Sequence, residues 1–555
     1  MSPPPSHPPD HWLSKYSSNI HPWTLSSNPN SDVTTTQTFS RPLGLVETSF
    51  DIDGTYYGGR ADMTCLFTLS IADTLPRLLL RKRIALAWTQ LRLEHVLLSS
   101  YVSDDSETGK RSFNVPVPAT AEASVKAVED ELVWIEDFYP SSEIDESELY
   151  HHAYNTARII SPAKCLSKLH ILPLQQNADG TIALRFLLVI AHQISDGLSA
   201  YNWLSHFIAI LNTPASQITS SITHLIAPQQ IRQKLPPPQE DLYPPIPGSK
   251  ARQRWFWALT RVLRHVATPL PPTFPNPLYR STRLNSIPAL PEKFPKMFSY
   301  KKEHLPPLSC GHISASLSLP TSQRLIALCR QTHVSIGAGC FALAGLAMME
   351  IHEELYPDIP DSQRAAFAAS FPLNPRAFFA KPPEADSCML AFSEGIVMPF
   401  LPSRLAVEGR FAVVVRHANR GLRVYQKRLK VRRGGTEEVD VSLDKHSPGR
   451  LLATGVGKYG ATCGVSSIGS LAAFFRRDEY GLENLGEKDF AADFRNVKIG
   501  VRARDNEFLV GSSTSSDGII SFGVSYDANA ISQEAAGMWA EKISGLLEKG
   551  DGSRL

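Results

Sequence analysis

The stretch FLLVIAHQISDGLSAYNWL, Phe186–Leu204, constrains the fold of this chain more than any other. An uninterrupted apolar run from Phe186 to Ala191 has the length and composition of a strand covered on both faces. The following LSAYNWLSHFIAILNTP carries apolar residues at helical spacing and stops near Pro214. Upstream, KLHILPLQQNADGTIALRFLLVIA holds two apolar runs joined by a polar turn with Asp179-Gly180, the pattern of a β-hairpin. The hairpin and helix together set His192, Asp196 and Gly197 at the end of a strand, where α/β proteins present reactive side chains. A histidine four residues before an aspartate arises by chance about once in a chain of this composition, so the spacing alone assigns no chemistry.

Strand and helix patterns alternate along the rest of the chain. RADMTCLFTLSI (60–71) has strand character, and residues 75–101 carry helical periodicity. Proline is frequent from 227 to 306, around one helical segment, ARQRWFWALTRVLRHVA, and this reads as a crossover between two lobes. Beyond it, TSQRLIALCRQTHV, SIGAGCFALAGLAMMEIHEELY and the segment from Arg404 to Lys430 read as helices. AAFAASFPLNPR reads as a strand, and FLVGSSTSSDGIISFGVSYDANAI as a hairpin. The expected organisation is an irregular arm at 1–40, a first lobe at 41–226, the crossover at 227–306, a second lobe at 307–548 and an exposed tail at 549–555.

Composition narrows the function. With 555 residues, 43% hydrophobic and 20% charged, the chain buries a large core. A net charge of +2 with interspersed signs lacks the basic footprint of a nucleic-acid binder. No window reaches the eighteen or so apolar residues of a spanning helix, and the start lacks the basic and apolar regions of a signal peptide, so no membrane span is expected. The seven cysteines form no C-x-x-C pair and read as reduced core residues. GVGKYG (455–460) matches G-x-G-x-x-G without a βαβ setting and reads as a loop. Neither His151-His152 nor His352 has metal-site spacing, and no metal is expected. The basic run 426–435 suits either a solvated helix end or coenzyme A phosphates, with the helix end favoured.

HQISDG resembles the H-x-x-x-D-G motif of the chloramphenicol-acetyltransferase-like acyltransferases, which include condensation domains and fungal O-acyltransferases. RPLG, the hairpin, the proline-rich crossover, FPLNPR, VSSIG and ISFGVSYDANAIS follow in the family's order, so the resemblance covers most of residues 40 to 548. It implies an α/β fold of two lobes, each a mixed, mostly antiparallel sheet with helices, and an active-site tunnel between them. His192 would be the general base of a direct acyl transfer, and Asp196 a structural residue of the motif loop paired with Arg376. Gly197 would give clearance, and Ser466 and Ser467 would be oxyanion or substrate contacts, with a turn-forming role for the serines equally open.

The resemblance further implies acyl-CoA as co-substrate, no permanently bound cofactor, a hydroxylated small-molecule acceptor and a monomer. Ser553, Arg554 and Leu555 resemble the peroxisomal S-K-L address, which implies an import receptor as partner and a peroxisomal location, the cytoplasm otherwise. Together they suggest short- or medium-chain fatty acyl transfer onto a sugar or glycolipid, as in the acyltransferases of mannosylerythritol-lipid biosynthesis. An acetyltransferase of a terpenoid or polyketide alcohol, and a catalytically silent condensation-like binding protein, remain the alternatives. A fluorescent protein fused ahead of the intact chain is expected to collect in peroxisomes of a fungal cell, and loss of Ser553–Leu555 to leave it diffuse. Diffuse signal from the intact terminus would remove the targeting reading.

Overall fold

The apolar run that precedes His192 lies at the heart of the first of two helix-covered mixed sheets. The computed structural model describes residues 21–27, 35–104, 111–139, 144–177, 179–243, 248–265, 271–303, 306–379, 383–393, 395–427, 431–433, 436–438, 462–483, 485–486 and 488–548. The first part of the chain forms β1 (Thr24–Ser27), β2 (Thr35–Pro42), α1 (Leu45–Tyr56), β3 (Met63–Asp73), α2 (Arg77–Glu94), β4 (Tyr101–Asp104) and β5 (Arg111–Pro118). It continues with α3 (Ala121–Glu131), β6 (Val133–Trp134), α4 (Glu146–Asn155), β7 (Ser167–Ile171), β8 (Gln175–Gln176), β9 (Ile182–Ile190) and α5 (Gly197–Leu211). Helices α6 (Ala215–Leu225), α7 (Pro228–Lys234), α8 (Gln239–Leu242) and α9 (Lys250–His265) lead into the crossover.

Strands β3 and β9 are antiparallel, with Phe67 opposite Phe186 and Leu66 opposite Leu187. Alternation sends Phe67 and Phe186 to a core shared with Trp88 of α2 and Phe207 of α5, and sends Leu66 and Leu187 to one shared with Tyr150 of α4 and Phe294 and Phe298 of the crossover. Both faces are covered, which is why the run reads as continuously apolar.

The second lobe comprises β10 (Cys310–Ser316), α10 (Leu319–Gln331), α11 (Ile336–Leu355), β11 (Phe367–Ser370), β12 (Pro372–Leu373), β13 (Ala391–Phe392), β14 (Ile396–Met398) and α12 (Val407–Lys427). After the short pair β15 (Val431–Arg433) and β16 (Thr436–Glu438) come β17 (Cys463–Ser470), β18 (Phe490–Val501), β19 (Phe508–Thr514), β20 (Ile520–Asp527) and α13 (Gln533–Gly545). Its sheet runs β10-β20-β19-β17-β11-β14. Helix α11 is buried from Ala338 to His352, as a helix apolar on all sides must be. It shares a core with Leu325 of α10, Val414 of α12 and Trp539 of α13. Among the described residues no single helix is long and apolar enough to cross a membrane.

Two expectations change. The arm is not irregular throughout: β1 pairs with β2, and β2 with β5, because TTQTFS offers β-branched and aromatic residues at a free sheet edge and buries Phe39. The lobes are also not contiguous in sequence. Strand β18, within 307–548, leaves the second lobe and pairs along the whole of β3 in the first, with Val501 opposite Met63. At its end Val501 N donates to Ser525 Oγ of β20 at 3.2 Å, and buried Arg502 donates to Ala153 O at 2.8 Å and Thr156 O at 3.1 Å.

The seam is tight at Gly500. A Cβ there would lie 2.4 Å from Tyr154 Oη, 2.9 Å from Ser525 Oγ and 3.0 Å from Tyr150 Oη. Gly500→Ala is expected to cost ~1–3 kcal/mol in denaturant unfolding, as overpacking does, with part recovered by adding Tyr154→Phe. No recovery would show that the tyrosine is not what the glycine accommodates.

Candidate active site

The turn after β9 is closed by backbone bonds from Ile194 N to Ala191 O (3.1 Å) and from Ser195 N to His192 O (3.3 Å). Asp196 then caps α5: its Oδ1 accepts from Ser199 N at 2.8 Å and Ser199 Oγ at 2.9 Å. Its Oδ2 accepts from Met389 N at 3.1 Å and lies 2.9 Å from Arg376 Nη1. Among the described residues no hydrogen bond joins Asp196 to His192. Arg376 sits in the turn after β12, where Asn374 Oδ1 accepts from its backbone N at 3.0 Å. Its Nη2 donates to Ser387 O at 2.9 Å and to Ser199 Oγ at 3.1 Å. Asp196 and Arg376, far apart in sequence, thus form one buried cluster joining α5 of the first lobe to residues 374–376 and 387–389 of the second.

His192 borders a cavity of about 690 Å³ with walls from both lobes. Its ring stacks on Phe50 of α1, centroids 4.0 Å apart and planes at 2°, and its Nδ1 lies 4.0 Å from Cys388 Sγ. Burial lowers its pKa from the ordinary histidine value. Hydrogen bonding to its own backbone works against that shift, and nearby Arg504 adds to it. Arg504 also lines the cavity, lies 5.6 Å from the Phe50 centroid and pairs with Asp53 at 2.6 Å. A second cavity histidine, His312 of β10, is pushed down to about 3 by burial and by Lys498, which faces the same space. The Cys388 thiol is raised well above its ordinary value by burial and by Asp196. It is therefore a protonated thiol beside the histidine and not a ready nucleophile.

The other sequence-chosen residues divide. Gly197 lines the cavity, and a Cβ on it would come 3.0 Å from Ile468 Cδ1, so its clearance is toward β17. Ser466 and Ser467 lie in strand β17, not in a turn, and alternation separates them. Ser466 lines the cavity, whereas Ser467 is exposed and approaches Gly337 at the start of α11. Phe50, Cys388, His312, Lys498 and Arg504 were not singled out from sequence. They come from four separate stretches, Lys498 on β18 and Arg504 just after it sharing one, and only the tertiary fold brings them together. Residues 455–460, residues 428–430 and 434–435 of the basic run 426–435, and Ser553–Leu555 lie outside the described residues. His152 Nδ1 is bonded to Tyr300 Oη at 2.8 Å and His352 Nδ1 to Arg364 Nη1 at 3.0 Å, both within packed surroundings.

No family model matches the sequence, and no curated protein matches it. Solved structures do. The trichothecene 15-O-acetyltransferase of Fusarium sporotrichioides is similar over 95% of this chain and 98% of its own, with 13% identity and a TM-score of 0.62. The condensation domain of the monacolin K polyketide synthase covers 92% of this chain and 96% of its own, with 9% identity and a TM-score of 0.52. The starter condensation domain of rhizomide synthetase, solved with C8-CoA, covers 91% and 94% with 10% identity and a TM-score of 0.52. The chain therefore has the two-lobed fold of the condensation-domain and chloramphenicol-acetyltransferase-like structures.

Breaking a buried ion pair on one side strands the other charge, at a cost of ~3–5 kcal/mol. Arg376→Ala and Asp196→Ala are each expected to lower unfolding free energy by that order, and the double variant by less than their sum. Additive losses would mean that the two side chains act separately.

Proposed function

We propose that this chain is an acyl-CoA-dependent O-acyltransferase in which His192 is the general base. The observation that carries the reading is the separation of roles around the motif. His192 borders a cavity walled by both lobes, while both Asp196 oxygens are taken by Arg376, Ser199 and Met389. With Nδ1 turned to Cys388, Nε2 is the nitrogen left to take a hydroxyl proton as the oxygen attacks a thioester carbonyl. A lowered pKa keeps the imidazole neutral and ready at neutral pH. His312, held near 3, is a far weaker base. Acyl and acceptor groups held together in the cavity react directly, with proximity supplying much of the rate. The trichothecene acetyltransferase supports acyl transfer to an alcohol, and the C8-CoA complex of the rhizomide domain supports an acyl-CoA donor.

The second-lobe sheet gives the cavity a hydroxyl-rich wall. Ser314, Ser316, Ser466, Ser512, Ser521 and Ser525 line the cavity on β10, β17, β19 and β20. Paired donors and acceptors of this kind suit a ligand with several hydroxyls, which supports a sugar or glycolipid acceptor. The likeness to the trichothecene enzyme favours instead a terpenoid alcohol. A short- or medium-chain fatty acyl donor and a peroxisomal site of action, the latter from Ser553, Arg554 and Leu555, complete the proposal.

With graded acyl-CoA thioesters and a panel of glycolipid and terpenoid alcohols, free-thiol release is expected to require an acceptor. His192→Ala should slow it about 10²- to 10⁴-fold, and equal activity in that variant would end the general-base assignment. The acid limb of kcat/KM should fall below the ordinary histidine pKa of about 6.5. Arg504→Gln removes a cation that holds the histidine down, so it should move that limb to higher pH. An unchanged limb would show that His192 is not the titrating group.

A further inference from the structure

Away from the cavity, three potential ligands converge where α2 ends against α5. Glu94 closes α2, His95 follows it, and His206 lies on the facing α5, with one ligand atom from each within 4.8 Å of the others. His95 Nε2 and His206 Nδ1 are 2.9 Å apart. The other nitrogen of His95 is hydrogen-bonded to Asp386 Oδ1, which also accepts from Trp203 Nε1 at 2.9 Å. A carboxylate on the far nitrogen of an imidazole is the arrangement that orients metal-ligating histidines and raises their basicity. One turn before Glu94, buried Gln90 gives its Nε2 to Glu94 Oε1 at 2.8 Å, and its own Oε1 has no partner among the described residues. Glu94 is thereby held in place by a buried side chain one turn earlier on the same helix.

The geometry points to a divalent-metal site of the zinc class, held by Glu94, His95 and His206 with Asp386 as the carboxylate that orients His95. Two imidazoles and one carboxylate leave the fourth tetrahedral position to water. Zinc–nitrogen bonds of about 2.0–2.1 Å place two nitrogens roughly 3.3 Å apart, so the rings need open by only a few tenths of an ångström. None of the four residues lines the His192 cavity, so the site stands apart from the acyl-transfer reading. Its effect runs through the 385–389 segment. Asn202 Nδ2 donates to Ala385 O, Asp386 faces His95, Ser387 O accepts from Arg376 Nη2, and Met389 N donates to Asp196. A bound ion would brace the segment that holds the Asp196–Arg376 pair. The residues lack a sequence signature because His206 is 111 positions from His95.

The test is zinc titration of the chelator-treated full-length protein by calorimetry, with melting temperature followed in parallel. One ion per chain and a raised melting temperature are expected. Glu94→Gln and His206→Asn should abolish both, and Asp386→Asn should weaken binding about 10- to 100-fold. Without zinc the Glu94→Gln variant should melt with the metal-free parent, which separates lost metal from lost packing. Absence of zinc binding by the parent overturns the site, as does binding that survives both ligand substitutions.

Discussion

The ion pair between Asp196 and Arg376 is the interaction on which the candidate site depends. Both side chains are buried, so each charge has left water and is compensated only by its partners. Such a pair is poor evidence for net stability, but it tolerates few arrangements. Every Asp196 oxygen and both terminal nitrogens of Arg376 are committed to named groups in the two lobes. Because Asp196 also caps α5, the same carboxylate sets the start of the helix, the turn before it and the attachment of the second lobe. His192 inherits its position from that turn, and the stacked Phe50 ring restricts how it can swing.

The pair also shapes the electrostatics. Burial is the dominant influence on the His192 ring, with Arg504 adding to it and Asp196 working against it. The negative charge of Asp196, close to Cys388, reinforces the burial that keeps that thiol protonated. Burial foremost, with Asp196 adding to it, thus works against a Cys–His nucleophilic pair at this site.

Local order was legible in the sequence, and long-range convergence was not. The strand, turn and helix carrying His192 and Asp196 are encoded within one stretch of thirty residues, because alternation, capping and helical spacing act over short distances. Arg376 was reached through the resemblance carried by FPLNPR; neither its spacing nor its charge would have selected it. Arg504 was missed because its place follows from β18, whose FAADFRNVKIGV pattern has polar interruptions and whose partner, β3, lies over four hundred residues earlier. The serines of VSSIG show the same limit from the other side. The resemblance carried by VSSIG put both at the site, and the two-residue period of a strand admits only Ser466 to the cavity.

A one-step transfer by His192, with no covalent enzyme intermediate, is the central claim. Intact-mass spectrometry of the protein held with an acyl-CoA in the absence of acceptor tests it most directly. An unmodified chain is expected, with product only once a hydroxylated acceptor is added. An acyl adduct on Cys388 that turns over on addition of acceptor would contradict it and make the Cys388–His192 pair the catalytic unit.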